Sequence, residues 1–353
     1  MRGYFRRLLV AIPLFLAMSA AAQMVPPPIE MKWDRLPSIP DREGFAGAFS
    51  GVSGGALIMA GGANIPGDKW TEPLVKKWYD SIFVLERPKG KWRAVSRLAR
   101  PLAYGVSITT GDGLICLGGS DATRHYGEVF LLRWKDGALT RKALAPLPLP
   151  CANGCGALLG RTIYLAGGIE TPAATVALHT FWSLDLDAPE PLWQELDPWP
   201  GPERMLAVSG AFEGSFYLFS GAKRTPDADG QPVREYLRDA YRFTPGHGWT
   251  RIADLPRAAV AAPSPAPQTA AGLIIVSGDD GLNVTFQPIQ KHPGFPQTAL
   301  SYDAGRDVWQ VLDSVPISRA TAPAVEWRDH VVVPNGEVRP RVRTPEVWWV
   351  QIH

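Results

Sequence analysis

A short apolar run that ends in a glycine-containing doublet recurs six times along this chain of 353 residues. The copies are LIMAGG ending at Gly62, LICLGG at Gly119, IYLAGG at Gly168, FYLFSG at Gly221, LIIVSG at Gly278 and VVVPNG at Gly336. Successive copies lie 57, 49, 53, 57 and 58 residues apart. A period near 50 residues, made of strand-sized pieces, is typical of kelch-type β-propellers with one blade per copy.

The remainder of each copy has the same order of elements. A variable loop follows the doublet, then a strand with aromatic residues, and then a short strand that usually contains a tryptophan. These tryptophans are Trp92, Trp134, Trp193, Trp249 and Trp309. We interpret them as packing residues between neighbouring sheets, and the glycines as positions where two blades approach closely.

The sixth copy ends after its third strand, and the missing strand is found near the beginning of the chain. The segment KWDRLP, residues 32–37, resembles the fourth strand and exit turn WTRIADLP at residues 249–256. The sequence therefore predicts an all-β, six-bladed kelch-type β-propeller whose last blade is closed by the N-terminal strand. The predicted single domain covers residues 23–353, with blades at residues 41–96, 97–148, 149–200, 201–256, 257–316 and 317–353 plus 31–37.

The first 22 residues have the pattern of a secretory signal peptide. Three arginines precede an apolar run, and small residues precede Gln23. Without this segment, 33 of the 36 basic residues remain against 34 acidic ones, a net charge of −1. We expect a periplasmic protein that does not bind nucleic acid, is not held in a membrane after cleavage, and is a monomer or homodimer.

The cysteines and histidines favour neither a metal site nor a redox cofactor. Cys116 lies in an apolar run, whereas Cys151 and Cys155 pair as a disulfide only if the chain turns between them, a question that the sequence leaves open. The six histidines lack the spacing of metal ligands. We predict no metal and no cofactor.

The order of strands in a blade determines which loops share the ligand-facing end of the channel. Loops that follow a doublet and segments that precede a first strand lie on the same face. The first class contributes Glu337, with Arg339, Arg341 and Arg343 close behind it. The second class contributes Arg42, Tyr104, Asn153, Arg204 and Arg319. Such a concentration of arginine suits a small anionic ligand, since a guanidinium group binds a carboxylate with two hydrogen bonds.

Three segments resemble the N-acetylneuraminate epimerases, which are sialic acid mutarotases. They are EGFAGAFSGVSGGALIMAGGAN, AYGVSITTGDGLICLGGSD and VVVPNGEVRPRVRTPEVWWV. The order of the copies indicates a cyclically permuted member, because the well-known members begin at the copy that is third in this chain. The resemblance covers all six copies, and the string NGE-x-R-P-x-x-R-T is its most specific part.

The resemblance implies an enzyme that interconverts the α and β anomers of N-acetylneuraminate or a related acidic sugar by acid–base ring opening. It also implies which residues perform this reaction. In the family, the glutamate of the NGE string is the proposed general base, and an arginine six residues later lies in the site; these positions are Glu337 and Arg343 in this chain. We expect Arg204, Arg42, Tyr104, Arg319 and Asn153 to contact an acidic sugar. Leu102 stands where the family has an arginine, so that contact is either missing or supplied by Arg100.

Other functions on the same fold remain alternatives. A non-catalytic kelch module would bind a glycan or protein through the same face, and Trp70, Trp78 and Tyr79 are compatible with this. A copper oxidase would need histidine and tyrosine ligands at the channel, and a sialidase would need Ser-x-Asp-x-Gly-x-x-Trp repeats. The sequence contains neither pattern.

Overall fold

A computed structural model describes residues 29–312 and 314–353 of the chain. The predicted signal peptide lies outside the described residues. Within them the structure consists of β-strands, turns and a single 3₁₀ turn at Ile289–Lys291. Six antiparallel sheets surround a central channel, so the predicted all-β, six-bladed propeller is confirmed. No helix in the described residues is of a length and apolarity that would cross a bilayer.

Five blades have four strands in up-and-down order, and in blades 1 to 4 all four come from one continuous segment that runs from the channel outward. Blade 1 contains Phe49–Ser53, Ala56–Ala60, Ser81–Leu85 and Arg93–Arg97. Blade 2 contains Val106–Thr110, Gly113–Leu117, Val129–Lys135 and Ala138–Leu144. Blade 3 contains Cys155–Leu159, Thr162–Ala166, Phe181–Asp185 and Gln194–Leu196. Blade 4 contains Val208–Phe212, Ser215–Phe219, Ala240–Thr244 and Gly248–Ile252.

Blade 5 lacks a regular inner strand. Its three strands are Gly272–Val276, Ala299–Asp303 and Val308–Leu312. The segment beside the channel contains Pro263, Pro265 and Pro267, which have no backbone N–H to donate to a ladder. It still runs alongside the sheet, since Ile274 N donates to Pro267 O over 2.9 Å.

Blade 6 joins the two ends of the described chain. Its strands are Val325–Trp327, His330–Pro334, Val347–Ile352 and the N-terminal strand Met31–Leu36. The N-terminal strand pairs along its whole length with Val347–Ile352, in antiparallel register from Met31 and Ile352 to Leu36 and Val347. The predicted closure of the last blade is therefore confirmed, and the outer edge of Val347–Ile352 is covered.

Three short hairpins extend from the loops that follow the doublets. They pair Ala63–Asn64 with Lys77–Trp78, Ala222–Pro226 with Pro232–Tyr236, and Glu337–Arg339 with Val342–Arg343. They belong to blades 1, 4 and 6, and all three lie on the face that the sequence assigns to the ligand.

The glycine doublets hold neighbouring blades together. A Cβ on Gly61, Gly118 or Gly167 would overlap the carbonyl oxygen of a residue in the next blade, and all three have positive φ. The second residue of the doublet donates its N–H to that same oxygen, as Gly119 does to Cys151 O over 2.8 Å. In these three copies the first residue of the doublet therefore needs a positive φ and no bulk toward the next blade.

The core lies between blades, as the tryptophans predict. Each of the six largest apolar clusters combines residues of two neighbouring sheets. Tryptophans of the outermost strands also donate their indole N–H to a backbone carbonyl of the preceding blade. The pairs are Trp92 to Pro37 O, Trp193 to Ala145 O, Trp249 to Asp197 O and Trp309 to Ala253 O, at 2.7–3.0 Å. These contacts satisfy the one polar atom of a large apolar side chain.

Candidate functional site at the channel mouth

A closed ring of backbone hydrogen bonds forms the mouth of the channel. One residue from each blade donates its N–H to the carbonyl of its neighbour, at 2.7–2.8 Å. In donor order the ring runs Gly47, Thr321, Ala261, Leu206, Asn153, Tyr104 and back to Gly47. All six residues have φ between 54° and 62°, the left-handed region. The ring is the point where segments that precede the six blades converge.

Two cavities follow the channel from this ring. The outer cavity, of about 80 Å³, is lined by the ring residues and the small residues next to them, such as Ala48, Gly105 and Ala207. The inner cavity, of about 290 Å³, is lined by inner-strand residues such as Ser50 and Ser107 and by Gln268 of the blade 5 segment. The narrow entrance thus carries a tyrosine, an asparagine and a threonine among small residues, and the inner cavity also has polar side chains.

Loops that follow the doublets are joined directly to this ring. In every blade, the residue after the doublet forms a bridge with the residue that precedes the ring position. Glu337 pairs in this way with Ala320, through hydrogen bonds of 2.8 and 2.9 Å, and Ala320 precedes Thr321 of the ring. The predicted convergence of the two classes of segment at one face is therefore what the structure has.

Glu337 and Arg343 lie opposite each other in the hairpin of blade 6. Arg343 Nη1 is 3.1 Å from Glu337 Oε1, and the backbone N–H of Arg341 donates to the same oxygen over 3.1 Å. Oε2 of Glu337 has no hydrogen-bond partner in residues 29–312 or 314–353. The Glu337 side chain is 18% exposed, so a small ligand has access to it.

Arg343 is buried without the acceptors that its donors require. Its side chain is 5% exposed. Nε and Nη1 have no hydrogen-bond acceptor among the described residues, because the contact with Glu337 Oε1 is close enough for an ion pair but lacks the angle of a hydrogen bond. A buried guanidinium with unused donors is costly, and an oxyanion ligand would satisfy it.

Arg204 and Arg319 were predicted to contact substrate, and the structure gives both a different environment. The Arg204 side chain is completely buried and binds Asp239 through two nitrogens, at 3.0 and 2.7 Å. Arg319 is 2% exposed, and its Nη2 donates to Glu346 over 3.1 Å. Both guanidinium groups lie in the interfaces between blades, and their assignment as substrate contacts stays a prediction.

The same geometry shows what a side chain at position 102, where the family has an arginine, contacts in this fold. Leu102, Arg204 and Arg319 occupy one equivalent position, since each carbonyl accepts the N–H of the second doublet residue of the preceding blade. Leu102 is 1% exposed and packs in the core between blades 1 and 2. The side chain at this position is directed into the interface between blades, so a leucine there removes no contact at the mouth. Arg100, the proposed substitute, pairs with Glu128 over 2.7 Å.

The other predicted contacts remain at the mouth. Tyr104 and Asn153 are ring residues, and both line the outer cavity. Arg42 is exposed on the loop before the first strand of blade 1, and its side chain has no ion pair or hydrogen bond in the described part of the chain. These three residues stay predictions as substrate contacts.

The structure adds residues that the sequence did not single out. Lys76 places its Nζ 4.2 Å from the ring centroid of Tyr104, which brings a cation to the mouth. Asp279 occupies the position in blade 5 that Glu337 occupies in blade 6, and its Oδ2 accepts the Tyr236 hydroxyl over 2.9 Å. A comparison of the residues that follow the six doublets would have found Asp279. The position of Lys76 at the mouth depends on the path of a long loop, which the repeat does not predict.

Arg339 and Arg341 have partners outside the Glu337 pair. Arg339 Nη1 donates to Gln290 O over 2.7 Å, and its guanidinium lies 5.7 Å from the Trp70 ring. Arg341 donates to Glu72 over 2.8 Å. Both arginines hold the hairpin against neighbouring loops.

The cysteines are free thiols. Cys116, Cys151 and Cys155 are buried and unpaired, so Cys151 and Cys155 do not form the disulfide that the sequence left open. Burial raises the pKa of both thiols to about 12, which keeps them protonated and unreactive. No cluster of three or more His, Cys, Asp or Glu side chains suited to a metal occurs in the described residues.

Comparison with known proteins shows that part of the chain is similar to a family of enzymes. Residues 20–140 match the family model described as N-acetylneuraminate epimerase. Curated proteins of that name match over 122–125 residues: 37% identity in Salmonella enteritidis PT4, 40% in Salmonella arizonae and 34% in Brucella suis. Each alignment covers 31–32% of this chain and 31–32% of the relative. The chain thus spans about a third of the length of the curated relatives it matches, and the family-model match at residues 20–140 does not include Glu337 or Arg343.

A solved structure resembles the chain over nearly its whole length. This structure, "Structure of YjhT", aligns with a TM-score of 0.63 and 12% sequence identity, over 90% of this chain and 99% of that one. At this identity the likeness concerns the fold alone. The resemblance that the sequence motifs indicate is therefore confirmed over residues 20–140, where the chain is similar to the N-acetylneuraminate epimerases.

Proposed function

We propose that the protein is an epimerase that interconverts the α and β anomers of N-acetylneuraminate, or of a related acidic sugar, at the channel mouth. The observation that carries the proposal is the pair of Glu337 and buried Arg343 in the hairpin of blade 6. A carboxylate with one free oxygen stands beside a cation with unused donors. The similarity of residues 20–140 to enzymes of that name supports the same reaction.

Anomer exchange requires proton transfers together with the opening and closing of one C–O bond. The anomeric hydroxyl loses its proton, the bond from the anomeric carbon to the ring oxygen breaks, and the ring oxygen gains a proton. A ketone forms, and the ring closes again when the hydroxyl attacks the other face of this carbonyl. In the proposal, Glu337 Oε2 accepts the proton from the anomeric hydroxyl and returns a proton to the ring oxygen. Such acid–base catalysis typically contributes about 10²–10⁴-fold in rate.

Arg343 would position the reacting carbon. In N-acetylneuraminate a carboxylate is attached to the anomeric carbon itself, so an arginine that binds this group holds the reacting bonds at a fixed place. Nε and Nη1 of Arg343 are the donors for this role, because neither has an acceptor in the described chain. Tyr104, Asn153 and Arg42 are proposed to contact the remainder of the sugar.

The alternative of a non-catalytic binding module has less support. It depends on exposed aromatic residues, and all three lie beside cations of the same chain, with Lys77 Nζ 5.0 Å from the Tyr79 ring centroid. Arg339 approaches the Trp70 ring, and Lys76 lies 4.6 Å from the Trp78 ring centroid. The hydroxyl of Tyr79 is committed to Asn64 Oδ1 at 2.9 Å. These rings are parts of the loop scaffold.

The experiment is proton NMR of N-acetylneuraminate freshly released as the α anomer, with and without the protein. The proposal predicts that β-anomer signals appear faster in proportion to protein concentration. A heat-denatured sample of the same protein is the control. An unchanged rate with native protein would contradict the proposal.

We also propose that the chain is exported to the periplasm, on the basis of its N-terminal segment. After expression in a Gram-negative host, osmotic shock should release the protein. Its mass should be that of a chain that begins at Gln23. Retention of the complete N terminus in the cytoplasmic fraction would contradict export.

A further inference from the structure

The hairpin of blade 4 places two arginines opposite each other on the mouth face. In its register Ala222 pairs with Tyr236, and Arg224 pairs with Arg234. Side chains at such positions lie on the same side of a two-stranded ribbon. Ala222 is buried, and Tyr236 packs against the cluster that includes the ring residues Leu206 and Ala261. The side that holds both arginines is therefore the side that faces the mouth.

Opposed like charges in a ribbon are unfavourable, and the neighbouring pair shows the usual arrangement. Lys223 and Glu235, on the other side of the hairpin, are opposite in charge. Two arginines directly opposite each other destabilise the pairing. An arrangement that costs stability and fills no structural need is expected where a ligand is bound.

Arg224 has no compensating partner in the chain. Within residues 29–312 and 314–353 its guanidinium forms no ion pair and no hydrogen bond, although the side chain is partly buried. Burial, together with the charge of Arg234, lowers the pKa of Arg224. The buried arginines of the blade interfaces differ in this respect, since Arg204 binds Asp239 and Arg319 binds Glu346.

The residues around the pair leave it open to an anion. Arg234 lies beside the Tyr236 hydroxyl, and that hydroxyl donates to Asp279. His125 is a second neighbour of Arg224. Burial and the charge of Arg224 lower the pKa of His125, whose Nδ1 is hydrogen-bonded to Ile169 O over 3.0 Å. Two carboxylates lie near these residues, and both are already acceptors. Asp279 accepts from Tyr236 and, at 3.0 Å, from Gly281 N. Asp121, near His125, accepts from the backbone N–H groups of Thr123 and Arg124 and from the Tyr126 hydroxyl.

We propose that Arg224 and Arg234 form an oxyanion-binding subsite at the channel mouth, separate from Arg343. Its ligand is a carboxylate, sulfate or phosphate group. The assignment of this group to a second anionic substituent of the sugar rests on the proposed function, whereas the oxyanion site itself does not. Two guanidinium groups that face each other can each donate two hydrogen bonds to one tetrahedral or planar oxyanion.

Sulfate binding tests the site without any sugar. Sodium sulfate is titrated calorimetrically into the protein in buffer of matched ionic strength, with sodium chloride as the competing salt. We expect saturable binding by wild type, about tenfold weaker binding by Arg224→Gln, and wild-type binding by Lys223→Gln, whose side chain lies on the other side of the hairpin. No saturable binding by wild type, or equal binding by Arg224→Gln, would overturn the proposal.

Two further measurements separate this site from Arg343 and from misfolding. Sulfate binding that is lost in Arg343→Gln but retained in Arg224→Gln would also overturn the proposal. In sulfate-free buffer, Arg224→Gln should melt at or above the wild-type temperature, because one of two opposed cations has been removed. A markedly lower melting temperature would contradict the like-charge argument.

Sugar acids with one or two carboxylates test the second claim. If the subsite belongs to the sugar site, galactarate should bind more tightly than galacturonate, and Arg224→Gln should remove the preference. Equal affinities in wild type would contradict a shared ligand. A failure of anomer exchange alone would count against the proposed reaction and not against this subsite, because neither binding experiment involves turnover.

Discussion

Arg204 and Arg343 are both buried arginines, and their surroundings assign them different roles. Arg204 uses its guanidinium within the fold, with Asp239 as a two-point partner and Trp199 and Tyr241 rings each 5.3 Å away. Arg343 has unused donors beside Glu337. The first arrangement is that of a structural ion pair, and the second is the one expected of the proposed anchor for the substrate carboxylate.

Replacement of Arg204 should therefore destabilise the protein. Arg204→Leu leaves Asp239 partly buried without its cation, and removal of one partner of a buried pair costs about 3–5 kcal/mol. Chemical denaturation measures the loss. Arg42→Gln, at an exposed arginine on the same face, is the matched control and should be close to wild type. Equal stability of Arg204→Leu and wild type would contradict the structural role.

The cost of Arg204→Leu should depend on pH. Burial raises the pKa of Asp239, but the hydrogen bonds and charge of Arg204 more than offset this, so that the pKa lies below its ordinary value. A depressed carboxyl pKa stabilises the fold above the unfolded pKa of about 3.9, and this contribution is lost as pH falls through the folded value. Without Arg204, the hydrogen bond from the Tyr241 hydroxyl remains but the cation that offsets burial is gone, so the pKa of Asp239 rises relative to wild type.

The stability difference between wild type and Arg204→Leu should thus shrink as pH is lowered from about 7 towards about 4. Denaturation curves of both proteins at several pH values test this. A difference that stays constant, or that grows in acid, would show that Asp239 is not the group responsible.

At the scale of the element, the doublet is the joint between blades. In three of the six copies the first residue is Ser220, Ser277 or Asn335, each with φ between 54° and 59°. The two serines use their hydroxyl groups to accept a backbone N–H of the next blade, at Ala259 and Arg319, over 2.8 Å. A small polar side chain can therefore take the place of the glycine when it bonds to the next blade.

Two glycines of blade 2 test this joint. Gly118 and Gly137 both have positive φ, so an alanine at either position carries a similar backbone cost of about 1–2 kcal/mol. A Cβ at Gly118 would overlap Cys151 O, whereas a Cβ at Gly137 meets nothing within 4 Å. Gly118→Ala should lose about 1–3 kcal/mol more than Gly137→Ala in denaturation experiments. Equal losses would contradict the close approach of the blades.

The same elements explain how far the sequence could predict the structure. Doublets and tryptophans determine the number of blades and the closure, because each must contact a neighbouring sheet. The sequence did not reveal that the position of Arg204 and Arg319 faces the interface between blades. A signal was present, since Leu102, Cys151 and Phe45 occupy that position in other copies and are apolar. The missing inner strand of blade 5 follows from its three prolines, whereas contacts such as that of Lys76 with Tyr104 depend on loop paths that no repeat encodes.

For the whole molecule, closure of the ring depends on one strand. Met31–Leu36 covers the edge of Val347–Ile352, and Trp33 and Trp348 contact edge to face with centroids 6.4 Å apart. Deletion of residues 29–36 would expose that edge and its aromatic residues. We expect a lower melting temperature and association into larger species.

Thermal denaturation and size-exclusion chromatography measure both effects. A synthetic peptide of residues 29–37 should restore stability when added to the truncated protein, and a peptide of the same composition in scrambled order should not. A truncated protein that stays monodisperse and melts at the wild-type temperature would contradict closure by this strand.

We propose that Glu337, a carboxylate at the mouth of a closed ring, exchanges the anomers of an acidic sugar. The most direct measurement is the rate of α-to-β conversion of N-acetylneuraminate by NMR, for wild type and Glu337→Gln at equal concentrations of folded protein. We predict that wild type accelerates conversion and that Glu337→Gln lowers this acceleration by about 10²-fold or more with an unchanged melting temperature. Wild-type acceleration by Glu337→Gln would contradict the claim.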